Sequence, residues 1–192
     1  MTGGWLERWL DVGEQVRESD AIFVLAGARG RKEYGLEVYR AGLAPRIVLS
    51  VGRFEIRRLR ELSLPTPLEL LSAARTVTPP ERHFFVEFDA SGVRYERTRV
   101  GRFGTLAETR ALAEWCEENR EVESLLVISS GSHLRRVRMC CRALLQQRVS
   151  CVFVAAPQQE PMRAGQLAAE AVKLAAYWVM LTVRRSGGRG LK

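Results

Sequence analysis

The sequence has no long apolar segment and no secretory signal. Its longest apolar run near the C-terminus, LAAYWVMLTV at 174–183, has only ten residues, too few to cross a bilayer. The N-terminal stretch MTGGWLERWLDVGEQVRESD lacks a basic segment followed by an apolar one. We therefore predict a soluble, cytoplasmic protein without a transmembrane segment.

Cysteine is scarce, and its arrangement matches no common metal site. Cys116, Cys140, Cys141 and Cys151 form no C-x-x-C pair, and no histidine lies at metal-ligand spacing from any of them. The adjacent pair would leave a helix on different faces, which suits neither a zinc site nor a local disulfide. We predict buried thiols in a reducing compartment and no bound metal.

Lysine occurs only at positions 32, 173 and 192, so the net charge of +8 comes from an excess of arginine. Arginine pairs bidentately with carboxylate and phosphate, which fits an anionic small molecule, nucleic acid or an anionic membrane surface. Genomic base composition explains the bias as a whole equally well. Because the sequence has no helix-turn-helix, zinc-finger or RNA-binding signature, we predict no specific nucleic-acid partner.

The composition, 46% hydrophobic and 27% charged, is typical of a globular protein. We predict a single domain over residues 1–192, with an N-terminal helix within 1–18 and a flexible tail at 186–192. Trp5, Leu6, Trp9 and Leu10 share one side of the N-terminal helix. Packing on the sheet is the simplest role for this helix and for the apolar C-terminal helix, and peripheral membrane contact is the alternative.

The first fifty residues have the pattern of a βαβ unit. The apolar run AIFVLAG is typical of a strand buried on both faces, KEYGLEVYRAG of a helix that stops at Gly42, and RIVLSVG of a second strand. Residues 53–100 are less regular. FEIRRLREL and LELLSAART have helical spacing around the break SLPTP, and HFFVEFDASGVRYERTRV predicts a strand pair with a turn at 89–92.

Alternation resumes from Thr105. TLAE matches a capping box, formed by Thr105 and Glu108, and predicts a helix through about Asn119. Strands at 124–129 and 149–156 then alternate with helices at SHLRRVRMCCRALLQQ and at 162–185. This order predicts an α/β, Rossmann-like three-layer sandwich with a mostly parallel central sheet of about five strands and a hairpin at one edge.

Polar residues follow several of the predicted strands, where an open α/β sheet binds its ligands. Arg31 stands at a helix start, where a cation opposes the helix dipole unless an anion compensates, and Glu33 and Glu37 are the nearest candidates. His133 and Arg136 lie at i and i+3, so they share a helix face and can meet one ligand. His133 is a candidate ligand contact or general acid, whereas Ser132 is a natural N-cap. The first loop, GARGR, is a weak nucleotide signature whose glycines can equally serve a tight turn.

These residues also occur in a recognisable order. DAIFVLAG is followed by R-x7-Y-x2-G-x-A-P-x-I-V-x-S-x-G from Arg31 to Gly52, by Thr105, and by S-x2-H-x2-R from Ser130 to Arg136. This order resembles the YdcF/SanA/ElyC-like family of domains of unknown function. The resemblance implies a Rossmann-like fold with a polar pocket at the strand ends and a link to bacterial cell-envelope biogenesis.

The leading hypothesis is a domain that binds, and as a hydrolase or transferase would process, a phosphorylated or nucleotide-like ligand; an S-adenosylmethionine-like ligand also fits. His133 and Ser130 are the candidate catalytic residues. The candidate ligand-binding residues are Gly27, Arg31, Ser50, Gly52, Thr105, Ser129 and Arg136. A nucleic-acid-binding or noncatalytic scaffold protein is the alternative.

Overall fold

The structure is a computed structural model that describes residues 4–52, 55, 70, 72, 75–78, 83–98, 104–145, 148–157 and 164–187. The two helices predicted around the SLPTP segment lie outside these ranges except for isolated residues, as do positions 188–192 of the predicted tail.

Every other predicted element is present with slightly different ends. The strands are β1 (Ala21–Val24), β2 (Ile47–Val51), β3 (Phe84–Asp89), β4 (Gly92–Arg97), β5 (Ser124–Ser130) and β6 (Ser150–Ala156). The helices are α1 (Gly4–Leu10), α2 (Arg29–Arg40), α3 (Gly104–Glu118), α4 (Gly131–Leu144) and α5 (Ala164–Gly187). Helix α1 ends at Leu10, well short of residue 18, and α5 extends into the segment predicted as a flexible tail.

The strands form one sheet in the order β4-β3-β2-β1-β5-β6. Strands β2, β1, β5 and β6 are parallel to one another. Ile22 of β1 lies opposite Ile47 of β2 and opposite Leu126 of β5. Strand β3 runs antiparallel to β2, and β4 runs antiparallel to β3. The described sheet therefore has six strands rather than about five, because both arms of the predicted hairpin join it.

Helices cover both faces of the sheet, as expected for parallel strands that are buried on both sides. Leu36 and Val38 of α2 pack with one set of alternating strand residues. Leu112 of α3 and Leu134 and Val137 of α4 pack with the opposite set. The resulting α/β fold has three layers, and α5 packs outside α4 through Tyr177 and Leu181. None of the described helices combines the length and apolarity needed to cross a membrane.

Helix α2 lies close to β1 because Gly35 faces the strand. A Cβ atom at Gly35 would lie 2.4 Å from Cγ2 of Val24, which is fully buried. The helix stops as its sequence predicts, since Gly42 has a φ of 76° and its N–H donates to the carbonyl of Tyr39. This close packing fixes the position of the first turn of α2, which carries Arg31.

We expect Gly35→Ala to destabilise the protein by about 1–3 kcal/mol, because overpacking the Val24 contact outweighs the roughly 1 kcal/mol gained in helix propensity. Gly30→Ala is the matched control on the same helix, since nothing lies within 4 Å of a Cβ at that position. Urea unfolding should show the control to be neutral or stabilising. Equal stability of the two variants would contradict this account of the helix–strand contact.

Candidate functional site

The candidate site lies at the carboxyl ends of β1 and β5, where the strand order of the sheet changes direction. Strand β1 has β2 on one side and β5 on the other, so the chain continues from β1 towards one edge and later returns towards the opposite edge. Helix α2 follows β1 on one face of the sheet, and α4 follows β5 on the other face. In open α/β sheets such a divergence leaves a crevice at the carboxyl ends of the strands, which is the usual ligand position.

Arg31 bridges this crevice. Its Nε donates to Oγ of Ser130 at 2.7 Å and its Nη1 donates to the carbonyl of Ala26 at 2.6 Å, although Ser130 is 99 positions away in the sequence. The side chain is buried. Gly27, with a φ of 135°, leaves the space, since a Cβ there would lie 2.6 Å from Nη1 of Arg31. Arg31 therefore links the end of β1 to the end of β5.

The negative charge that balances Arg31 comes from distant parts of the chain. Burial lowers the pKa of Arg31, and the carboxylates of Glu108, Glu55 and Glu170 act in the opposite direction. The predicted local compensation by Glu33 is wrong, because Glu33 accepts a hydrogen bond from Arg29 at 2.6 Å on the exposed side of α2. The other local candidate, Glu37, is exposed.

Arg136 of α4 belongs to a second buried group of charges. Its Nη1 donates to Oε2 of Glu170 on α5, and both side chains are at least nine-tenths buried. Its Nε donates to Oγ1 of Thr105 at 3.2 Å, and its guanidinium lies 5.5 Å from the ring centre of Tyr177. Lys173 donates to the other carboxylate oxygen of Glu170 at 2.8 Å. Glu170 thus accepts hydrogen bonds from two cations, one on α4 and one on α5.

His133 is uncharged at neutral pH in this setting. Burial, reinforced by the positive charge of Arg31, lowers the pKa of His133 to about 4. Nη2 of Arg136 lies 3.0 Å from Nδ1 of His133, and because a guanidinium can only donate, Nδ1 accepts and the proton resides on Nε2. Nε2 lies 3.6 Å from Oε1 of Glu170. His133 therefore offers an N–H donor, while its lone pair is occupied by Arg136.

His83, the other histidine of the chain, forms a pair with Ser50 that the sequence did not reveal. Oγ of Ser50 and Nε2 of His83 are 2.7 Å apart, at the end of β2 and just before β3. Burial, followed by the positive charge of Lys32, lowers the pKa of His83 to about 4. Ser50 also forms a hydrogen bond with the carboxyl group of Glu108. A neutral imidazole and a hydroxyl in contact can exchange a proton, which makes this pair the second chemically competent element of the site.

Two further acidic groups close the crevice next to Gly27. Lys32 donates to Oε2 of Glu55, and the amide of Gly27 donates to Oε1 of the same carboxylate at 2.5 Å. Glu108 accepts from the amide of Ala26 at 2.7 Å. Burial raises the pKa of Glu108, and this outweighs the hydrogen bonds and cations that favour its charged form.

Two predicted helix caps are wrong. Glu108 does not complete a capping box with Thr105, because its carboxylate bonds Ala26 on the neighbouring loop and Thr105 lies within α3. The N-cap of α4 is Ser130, not Ser132, and its hydroxyl makes no capping bond because it accepts from Arg31. Asp11 instead lies beside Gly131, where a Cβ would be 2.8 Å from Oδ2. A carboxylate thus already lies at the N-terminus of α4.

The structure brings together most of the residues that the sequence singled out. Gly27, Arg31 and Ser130 meet across the crevice; His133, Arg136 and Thr105 meet beside it; and Ser50 and Gly52 lie at the adjacent strand end. Ser129 is fully buried, and its hydroxyl has no hydrogen-bond partner among the described residues.

The residues that sequence reasoning missed are Lys32, Glu55, His83, Glu170, Lys173 and, in this role, Glu108. Of these residues only Glu108 stood out in the sequence, and its match to a capping box led us to assign it a structural role. The described residues contain no group of three potential metal ligands. Cys116, Cys140 and Cys141 are buried and Cys151 is partly buried, all as free thiols. Burial raises the pKa of Cys140 to about 12, so this thiol is protonated at neutral pH.

Comparison with known proteins adds no assignment, since no family model, curated protein or solved structure matches this chain.

Proposed function

We propose that the crevice between β1 and β5 binds a small anionic ligand, phosphorylated or nucleotide-like. The observation that carries the proposal is the convergence of Arg31 and Arg136, from helices on opposite faces of the sheet, at the point where the strand order reverses. Burial is the main cause of the lowered pKa of Arg31, and the positive charge of Arg136 acts in the same direction, so the two guanidinium groups repel each other. A bound anion relieves this repulsion and gains charge-assisted hydrogen bonds.

The charge of the crevice supports an anion rather than a cation. Four cations, Arg31, Lys32, Arg136 and Lys173, pair with or lie near four carboxyl groups, Glu55, Glu108, Glu170 and Asp11. Burial raises the pKa of Glu108, which favours its uncharged form. The described contacts of Arg31 use Nε and Nη1, so Nη2 can donate to a ligand. Ser130 accepts from Arg31, which leaves its own proton to donate. Because Asp11 already lies at the N-terminus of α4, side chains supply the binding groups on that side.

We further propose a division of roles between the two histidines if the bound ligand is processed. His133, with its proton on Nε2, contacts the ligand as a neutral donor beside Ser130. The pair Ser50 and His83 is the better candidate for proton transfer, because His83 contacts a hydroxyl group whereas the lone pair of His133 is occupied by Arg136. A hydrolase or transferase acting on a phosphorylated substrate fits these groups.

The resemblance to the YdcF/SanA/ElyC-like family supports the same location of the site. In that hypothesis one pocket is lined by Arg31, Ser50, Gly52, Thr105, Ser130, His133 and Arg136, and a link to cell-envelope biogenesis follows from the family. A nucleotide or S-adenosylmethionine is a reasonable first ligand to test.

A thermal-shift comparison tests the site with inorganic phosphate, nucleotides and S-adenosylmethionine. We expect phosphate or one of the nucleotides, at about 100 times its Kd, to raise the unfolding midpoint of the wild type by about 5–10 °C, since ligand that binds only the native state stabilises it by roughly 2.7 kcal/mol. Arg31→Gln should abolish the shift. Arg29→Gln removes the same charge from an exposed position on the same helix and should retain it.

Two outcomes of the thermal-shift comparison would count against the site. A shift of equal size in wild type and Arg31→Gln, or no shift with any of the anions, would contradict an anion site in this crevice.

A further inference from the structure

Three of the four tryptophans are exposed. Trp5, Trp9 and Trp178 have 72%, 41% and 61% of their surface accessible, whereas Trp115 is buried in the core. Tryptophan is a large amphipathic side chain that soluble surfaces rarely expose in groups, but it is enriched where a protein meets the interface of a membrane. Trp5 and Trp9 are four residues apart on α1 and therefore share a face.

Two of the exposed tryptophans, Trp9 and Trp178, border one groove, formed where α1, α4 and α5 meet. The groove has a volume of about 930 Å³, and Trp9 and Trp178 lie among its lining residues. Ala171, Leu174, Ala175 and Trp178 occupy successive turns on the groove side of α5. The groove is thus open to solvent along an apolar wall.

The outer face of α5 extends this apolar surface. Val172 and Val179, seven residues apart, are 69% and 53% exposed, and Ala175 and Ala176 between them are exposed as well. The inner face of the same helix packs normally through Leu167, Tyr177 and Leu181. A helix that buries one apolar face and exposes a second one is typical of an interaction surface.

Arginines frame the groove, and none of its lining residues in the described part of the chain is acidic. The three are Arg135, Arg138 and Arg142 of α4. Arg135 is held over the ring of Trp9 at 4.3 Å, and its Nε donates to the Trp9 carbonyl at 2.6 Å. Arg138 also pairs with Glu14 outside the groove, at 3.4 Å. Each guanidinium stands next to apolar surface, the arrangement in which cations meet lipid phosphates while tryptophan enters the headgroup layer.

We propose that the surface formed by Trp5, Trp9, Trp178, Val172, Val179 and the three groove arginines docks on an anionic membrane surface. The charge of the groove decides between this occupant and a second copy of the chain. A two-fold dimer places the same surface on both partners, so arginines would approach arginines, with no acidic residue among the described groove residues to pair with them. An anionic bilayer supplies the missing charge and accommodates the tryptophans at once.

Sedimentation with vesicles tests the proposal without reference to the crevice. We expect the wild-type chain to bind vesicles of phosphatidylglycerol and phosphatidylcholine, to bind phosphatidylcholine alone much more weakly, and to show a blue shift of tryptophan emission on binding. Trp178→Ala and Arg142→Glu should each weaken the apparent partition coefficient by about tenfold or more. Both positions are exposed, so the variants are expected to fold.

The matched controls are Tyr95→Ala and Arg40→Glu. Tyr95 is an exposed aromatic residue on the edge strand β4, and Arg40 is an exposed arginine on α2, which packs on the other face of the sheet. Neither control should change vesicle binding. Failure of the wild type to bind anionic vesicles, or equal losses in test and control variants, would overturn the proposal. So would a wild-type dimer that ignores vesicles and becomes monomeric in Trp178→Ala, because the surface would then join two copies.

Discussion

Arg136→Met should lower the free energy of unfolding by about 3–5 kcal/mol, the largest effect expected for a single side chain near the site. Arg136 and Glu170 are both at least nine-tenths buried, and removing one member of a buried ion pair leaves the other charge without compensation. Lys173 still contacts Glu170 but is more than half exposed, so it offsets only part of the loss. Urea unfolding followed by circular dichroism measures the change.

Two further variants isolate the cause of that loss. The double replacement Arg136→Met with Glu170→Met should recover most of the stability, because well-packed apolar residues replace a buried pair at little cost. Arg29→Gln breaks the exposed pair with Glu33 and should change stability by only about 0–1 kcal/mol. A double variant no more stable than Arg136→Met would show that packing on Tyr177, rather than charge, dominates at Arg136.

The stability of the protein should fall as the pH is lowered from 6.5 to 4, and His83 should account for about 3 kcal/mol of the fall. The pKa of His83 is about 4 in the folded protein, against 6.5 in the unfolded chain. Between these values the unfolded chain binds more protons, so stability rises with pH. Each pKa unit corresponds to about 1.4 kcal/mol, which gives the size of the effect. Its full stabilisation is present above pH 6.5.

Comparing the wild type with His83→Gln separates this contribution from other groups. The raised pKa of Glu108 acts in the opposite direction, since a group that binds its proton more tightly when folded stabilises the protein at low pH. Glu108 is present in both proteins, so the difference between their unfolding free energies reports on His83. That difference should diminish steadily from pH 6.5 to pH 4. A difference that does not vary with pH would show that His83 titrates normally.

Both predictions concern charges that a stability-optimised core would not contain. Burying Arg31, Lys32, Arg136 and the carboxyl groups of Glu108 and Glu170 costs desolvation energy, which their mutual pairing offsets only when each contact is in place. Such concentrations of perturbed titratable groups at one end of a sheet are typical of functional sites. The proposed anion site gives a reason for keeping them.

Local sequence patterns predicted the elements of the fold with good accuracy. The apolar runs of β1, β2 and β5 and the turn between β3 and β4 identified the strands, and Gly42 identified the end of α2. The number of strands was underestimated because a hairpin in sequence does not show whether both arms join the main sheet. Pairing of β3 with β2 is a long-range contact that no local pattern contains.

The site was predictable only in its position. Alternating strands and helices place Arg31, Ser50, Ser130, His133 and Arg136 at one edge of the sheet, because parallel strands carry their carboxyl ends to the same side. The assignments that failed, such as the capping box at Thr105, describe interactions within one turn of helix. Buried carboxylates instead pair with residues far away in the sequence. A buried charge without a partner is costly, so the nearest available partner in space is used, however distant it is in the sequence.

The sequence by itself determined the α/β class, the order of the elements and the edge of the sheet where polar residues collect. All of these follow from hydrophobic periodicity and turn chemistry, which act over a few residues. Only the tertiary structure decided the partners: Ser130 with Arg31, Glu170 with Arg136, and His83 with Ser50. These contacts join residues 33 to 99 positions apart. Packing of the helices on the sheet brings the two arginines to their partners, and the pairing of β2 with β3 brings His83 to Ser50.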